Sequence, residues 1–214
     1  MKIRFTIRNR LFIGFAFLII IALILIIITA KTFYTAVQYN KKIAVIYAPS
    51  VNELENLDQL LTQSQSYITI WGMAQTKDTQ QKRRLISLLN DNYPEIKANI
   101  NKLAFNWDNN DRELLNKIYR EIDGENGLFS KYDEVMSSLS TFESYNNAMV
   151  YFSKYEMVED GGEIDILVKN IRRSIKNLKN RYYSKTKNIE QRLRSEYSRL
   201  QNIIIVFGLF LDRK

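Results

Sequence analysis

The sequence predicts an all-α fold: an N-terminal transmembrane helix continuing into an antiparallel four-helix bundle, with a truncated second transmembrane helix at the C-terminus. Three observations predict it. Residues 11–30, LFIGFAFLIIIALILIIITA, carry no charge and no proline. Apolar residues then recur at three- and four-residue steps through most of the chain. Seven glycines and two prolines in 214 residues are too few for the turns of an all-β fold.

At about 1.5 Å per residue, a helix over Leu11–Ala30 covers roughly 30 Å, the thickness of a bilayer's hydrocarbon core. Every backbone polar group needs an internal partner there, and a single helix provides it. The run exceeds the roughly 7–15 apolar residues of a cleaved secretory signal. The bulky Ile28 in Ile28-Thr29-Ala30 also spoils a small-x-small cleavage site. Residues 1–10 carry Lys2, Arg4, Arg8 and Arg10 and no acid, so they are expected on the cytoplasmic side, with residues 31–202 outside. Lys31, Lys41 and Lys42 precede the first acid, Glu53, which blurs the asymmetry. Long segments translocate largely regardless of charge, so the orientation stands.

From Phe33 to Trp71 one register holds: Phe33, Ala36, Asn40, Ile43, Tyr47, Ser50, Leu54, Leu57, Leu61, Ser64, Ile68, Trp71. Alternating three- and four-residue gaps are the seam of helices packing at a shallow angle. The first helix is therefore expected to continue outward into the bundle, kinked or broken at Pro49. A second helix, capped by Asp78 or Thr79 and bent or joined at Pro94, is expected to end near Phe105. Trp107-Asp108-Asn109-Asn110-Asp111 reads as a turn. A third helix carries Leu114, Leu115, Ile118, Ile122, Leu128, Phe129, Tyr132, Met136 and Leu139. Gly124 and Gly127 should weaken it by about 1 kcal/mol each. Residues 143–162 are irregular and close on Gly161-Gly162. A fourth helix, from about Glu163, leads without a break into the apolar run Ile203–Leu211. Nine apolar residues span about 14 Å, so residues 203–214 read as the start of a second membrane helix, or as a short tail packed on the bundle.

Composition narrows the function. Without cysteine there are no disulfides or thiolate metal sites, and without histidine the usual general base and commonest metal ligand are missing. No Gly-rich phosphate loop or catalytic spacing occurs. The chain is expected to be neither an enzyme nor dependent on a cofactor. Its net charge of +8 raises the question of an acidic partner. Residues 163–202 hold eleven Lys or Arg against four Asp or Glu, but scattered around the helix, which predicts a solvated face paired with acids of neighbouring helices. No recognition motif accompanies the charge, so nucleic acid is not an expected partner.

Basic residues followed by Leu11–Ala30, the Ala48-Pro49 and Leu54-Glu55-Asn56-Leu57 stretches, the Asn-rich turn at 108–111 and the run into Ile203 together resemble one arrangement. It is the extracytoplasmic four-helix-bundle sensor region of bacterial methyl-accepting chemotaxis proteins and related membrane sensor kinases and phosphatases. The resemblance implies a homodimer in the bacterial inner membrane, with helices one and four joined to membrane segments. It also implies chemotaxis or two-component signalling through an output module that this sequence lacks. A small anionic ligand, or a periplasmic protein, would bind near the far end of the bundle. By that resemblance Arg83 and Arg84 clamp a carboxylate, with Ser64, Tyr67 or Thr69 and Trp71 completing the site. The competing reading makes Trp71 and Tyr67 core contacts and leaves both arginines in solvent. A rival function is a membrane-anchored helical scaffold that binds protein and transmits nothing.

Overall fold

The structure is a computed structural model that describes residues 7–73 and 80–212. Among the described residues it is entirely helical, without a strand. Contacts divide the chain into two units, Val45–Lys185 and a second comprising the residues up to Ala44 with those from Thr186 onward.

In the second unit, α1 (Ile7–Lys42) is long and apolar enough to cross a membrane. Many of its large side chains face outward: Phe12, Phe15, Ile19, Leu23 and Ile27 are each more than half exposed. A half-buried line of Ile21, Leu25, Ile28, Thr32 and Tyr39, with the buried Ala36, marks one side. The end of α9 (Glu163–Asp212) contributes Ile189, Leu193, Leu200, Ile203 and Phe207 at similar spacing.

Helical structure is unbroken from Phe12 to Met73, yet both prolines leave a mark. A π-helical turn (Ile43–Tyr47) separates α1 from α2 (Ala48–Met73), and Pro49 follows it by two residues. A second π-turn (Leu88–Asn92) separates α3 (Gln80–Ser87) from α4 (Tyr93–Ala104), and Pro94 again follows by two. Proline takes away one N–H and crowds the previous turn. A π-turn relieves both by accommodating one extra residue where the i→i−4 bond is lost. The expected kink or break is thus a widened turn, and it corrects the register. From Ser50 to Trp71 every seam position is buried, but Phe33 is 68% exposed and Asn40 lies in solvent. Before the π-turn the inward line keeps the expected Ala36, 2% exposed, but takes Thr32 and Tyr39, one residue earlier, in place of Phe33 and Asn40.

In the unit Val45–Lys185, α2 forms the central column, touching α3, α4, α6 (Leu128–Ser138) and α8 (Ala148–Val158). The pairs Glu55–Lys179, Asp58–Arg172 and Gln65–Asp165 run in opposite order along α2 and α9, making those stretches antiparallel. The core holds Leu54, Leu57, Leu61, Ile68, Leu85, Ile100, Ile118, Ile122, Tyr132, Ile171, Ile175 and Leu178. The expected turn at 107–111 is tighter than anticipated. Asp108 caps α5 (Asn109–Asp123), its carboxylate accepting the Asp111 N–H at 3.0 Å.

The third helix is corrected. It is not weakened but ended at Gly124, with α6 starting afresh at Leu128. A Cβ at Gly124 would lie 2.4 Å from the Arg120 carbonyl, so only glycine fits that close approach. Residues 142–158 form two helices, α7 (Phe142–Asn146) and α8, where irregular chain is expected. Gly161, at φ 83°, turns the chain into α9. The expected caps at Asp78 and Thr79 lie outside the described residues, as do Lys2, Arg4, Arg213 and Lys214.

Part of the basic charge of α9 is answered from neighbouring helices. Arg172 meets Asp58 at 2.6 Å, Lys179 pairs with Glu55, and Arg181 and Lys185 reach Asp111 at 2.9 and 2.6 Å. Asp165, 4% exposed, accepts from Lys169 at 2.6 Å, from the Gly161 N–H at 2.8 Å and from Gln65 at 2.9 Å. The Lys169 ammonium, then the Gly161 N–H, hold its carboxyl below the ordinary value of 3.8. A depressed carboxyl adds stability that is full above the unfolded pKa and lost as pH falls through the folded one. Thermal midpoints of the wild-type chain are therefore expected to fall faster below about pH 4 than those of Asp165→Asn, which is less stable at neutral pH.

Candidate functional site

The end of α2 brings together the polar and aromatic residues the sequence singles out. Ser64, Ile68 and Trp71 follow one another at four- and three-residue steps and face inward, with the half-buried Tyr67 beside them. Ser64 is fully buried, donates to the Leu61 carbonyl at 2.9 Å and meets the Tyr132 hydroxyl at 3.2 Å. Thr69 donates to the Gln65 carbonyl at 2.9 Å and lies 3.4 Å from the Val158 carbonyl. Trp71 is buried, and its indole N–H reaches the Leu139 carbonyl at 3.2 Å, beyond the end of α6.

A buried lysine completes the group. Lys82 on α3 is 4% exposed, its ammonium 4.7 Å from the Trp71 ring centre and 5.1 Å from that of Tyr145. It donates to the Tyr145 hydroxyl at 3.0 Å, and that hydroxyl donates to the Trp71 carbonyl at 2.7 Å. Burial, with the neighbouring Tyr151, pushes the Tyr145 phenol up to about 12, so it remains protonated and able to donate at neutral pH. The two aromatic faces and the phenol oxygen stabilise an ammonium that burial alone would disfavour. Tyr151 carries the aromatic line outward, 6.3 Å from Tyr145 and stacked 6.0 Å from Tyr155.

The two arginines sit differently from a paired clamp. Arg83 and Arg84 are adjacent on α3 and both exposed, so their side chains leave the helix about 100° apart. Arg84 reaches the Tyr67 hydroxyl at 3.5 Å. The structure thus joins Tyr67 to Arg84 and places Trp71 beside Lys82, while Ser64 belongs to the interior contact with Tyr132. Sequence reasoning passed over Lys82. Its signal was positional: Lys82 precedes Leu85 by three residues and so continues the buried stripe of α3.

Packing around Gly72 is tight. A Cβ there would lie 2.7 Å from Val158 Cγ2, so α2 and α8 touch almost backbone to side chain. The site is therefore built on closely fitted helices. It can present one guanidinium and one phenol at the surface, over an interior ammonium and indole, to an anionic group.

Comparison with family models, with curated proteins and with solved structures finds no match.

Proposed function

We propose that this chain is the input region of a bacterial transmembrane receptor, anchored by α1, with its helices arranged as a four-helix bundle outside the inner membrane. In this reading the end of α9 enters the membrane as a second helix. The observation that carries the reading is the unbroken helical run from Phe12, in the apolar segment, to Trp71 in the cationic–aromatic group. A small anionic ligand bound by Arg84 and Tyr67, with Arg83 and Thr69 beside them and the buried Trp71 and Ser64 beneath, favours one arrangement of the distal helices over another. Differential affinity alone then biases the position of the helices at the bilayer. Shifts of about 1–2 Å are the scale of such movements at helix interfaces.

The test uses the full chain in lipid nanodiscs, as the homodimer the reading expects. The sequence has no cysteine, so Lys41→Cys and Gln191→Cys introduce two spin-label sites per chain, and dilution with unlabelled chain leaves one labelled pair per homodimer. Titration with amino acids and di- and tricarboxylic acids is expected to shift the label distance. A distribution unchanged by a member that demonstrably binds would remove the signalling reading.

One observation favours the rival class. Phe142, Met149 and Phe152, within eleven residues beside the site, are 59%, 86% and 61% exposed. Large apolar side chains so placed suit a protein partner, and a scaffold function would use them without any helix displacement.

A further inference from the structure

Where α1 and α9 leave their apolar runs, they line a cleft of about 330 Å³ formed by Ile28, Lys31, Thr32, Thr35, Glu196, Arg199, Leu200 and Ile203. Its chemistry is layered. Ile28 lies three residues before Lys31, the first charge after the apolar run, and Ile203 lies four residues after Arg199. On each helix one turn, about 5.4 Å, separates an apolar floor from a charged rim. The half-buried Thr32 and Thr35 add hydroxyls, the only side chains in the lining that both donate and accept. Among the described residues neither Lys31, Arg199 nor Glu196 forms an ion pair, although all three border the same space. The volume is within the range of small-molecule sites.

We propose that this cleft binds the amine-bearing phosphodiester headgroup of a membrane lipid. The inference rests on the reading of α1 as a membrane helix. Lys31 and Arg199 take the phosphate, Arg199 through its planar fork of donors, with the threonine hydroxyls beside them. Glu196 takes the ammonium, and the acyl chains continue over Ile28 and Ile203. The charge set fits a zwitterion better than an anionic lipid, because a purely anionic headgroup would leave Glu196 facing it unanswered. It fits a primary amine better than choline. A primary ammonium donates hydrogen bonds to a carboxylate, whereas quaternary ammonium is held by aromatic cages, and no aromatic residue lines this cleft.

The experiment reconstitutes the full chain in vesicles of equal parts phosphatidylethanolamine, phosphatidylcholine and phosphatidylglycerol. The chain is then extracted gently, and retained lipid is read by native mass spectrometry. Phosphatidylethanolamine is expected to be enriched several-fold over its bulk share, and soluble phosphoethanolamine in excess should not displace it, because the chains also bind. Glu196→Gln should shift retention towards phosphatidylglycerol, and Lys31→Ala with Arg199→Ala should abolish the enrichment. Arg194→Ala, exposed and outside the cleft, should leave it unchanged. Retained lipid that mirrors the bulk mixture, or a Glu196→Gln chain with unaltered preference, would overturn the proposal. Complete displacement by soluble phosphoethanolamine would overturn the lipid as its source. Failure of the chain to enter vesicles would sink the membrane reading itself. Circular dichroism of each variant separates loss of binding from loss of folding.

Discussion

Trp107→Ala is expected to lower the free energy of unfolding by about 3–5 kcal/mol, the largest loss from any single truncation in the unit Val45–Lys185. Trp107 is 4% exposed, and its ring lies 4.8 Å from that of Tyr182, which in turn lies 5.7 Å from Tyr47. Its indole N–H donates to Ser50 Oγ at 2.9 Å, and Ser50 donates to the Ile46 carbonyl at 2.6 Å. That carbonyl lies in the π-turn before Pro49, where regular helical bonding is interrupted. One side chain therefore fills the core and completes the polar chain that closes the turn. Trp107→Phe keeps most of the ring packing and loses the donor, so it should cost about 1 kcal/mol. Urea unfolding followed by circular dichroism measures both. Equal losses for the two substitutions would mean that the hydrogen bond, not the packing, carries the effect.

Asp111→Ala is the second large effect, expected at about 3 kcal/mol because it removes the buried carboxylate that two cations share. Asp111 is 2% exposed and receives both Arg181 and Lys185, while Lys185 also reaches Asp108 at 2.8 Å and lies 4.5 Å from the Tyr182 ring centre. The Lys185 ammonium holds the Asp108 carboxyl below its ordinary value, so this corner keeps its charge at neutral pH. Much of the loss on removing Asp111 comes from the charges left behind rather than from the contact itself. Asp111→Ala combined with Lys185→Met should therefore be less destabilised than the sum of the two single changes. Strict additivity, measured by the same unfolding curves, would contradict that account.

Much of the fold was legible because helix periodicity is a local signal. Leu54, Leu57, Leu61 and Ile68 are all buried as spaced, and α9 begins at Glu163 as expected. The acids that answer α9's basic residues were anticipated as a class, but their partners were not, since Asp58 and Arg172 are far apart in sequence. What failed to show was how the chain resolves a conflict between local rules. Pro49 and Pro94 sit inside strong helical patterns, and spacing alone could not choose between a kink, a break and a π-turn. Gly124 read as a weak point because the 2.4 Å approach to the Arg120 carbonyl exists only in three dimensions. At the candidate site, Tyr67, Thr69, Trp71 and Arg84 were visible as polar and aromatic residues at one end of α2 and α3. Lys82 was missed because a charged residue on an apolar stripe reads as an exception until the rings that cover it are seen.

The most direct test of the account is a thermal-shift screen of the full chain in nanodiscs against amino acids and di- and tricarboxylic acids. A ligand that binds only the folded state adds about 2.7 kcal/mol at a hundred times its dissociation constant, enough to raise the midpoint by several degrees. The account predicts at least one such shift, abolished by Arg84→Ala in a chain whose unliganded midpoint is unchanged. A well-folded chain with a flat response across the panel, or a shift that Arg84→Ala leaves intact, would contradict a ligand site at Arg84 and Tyr67.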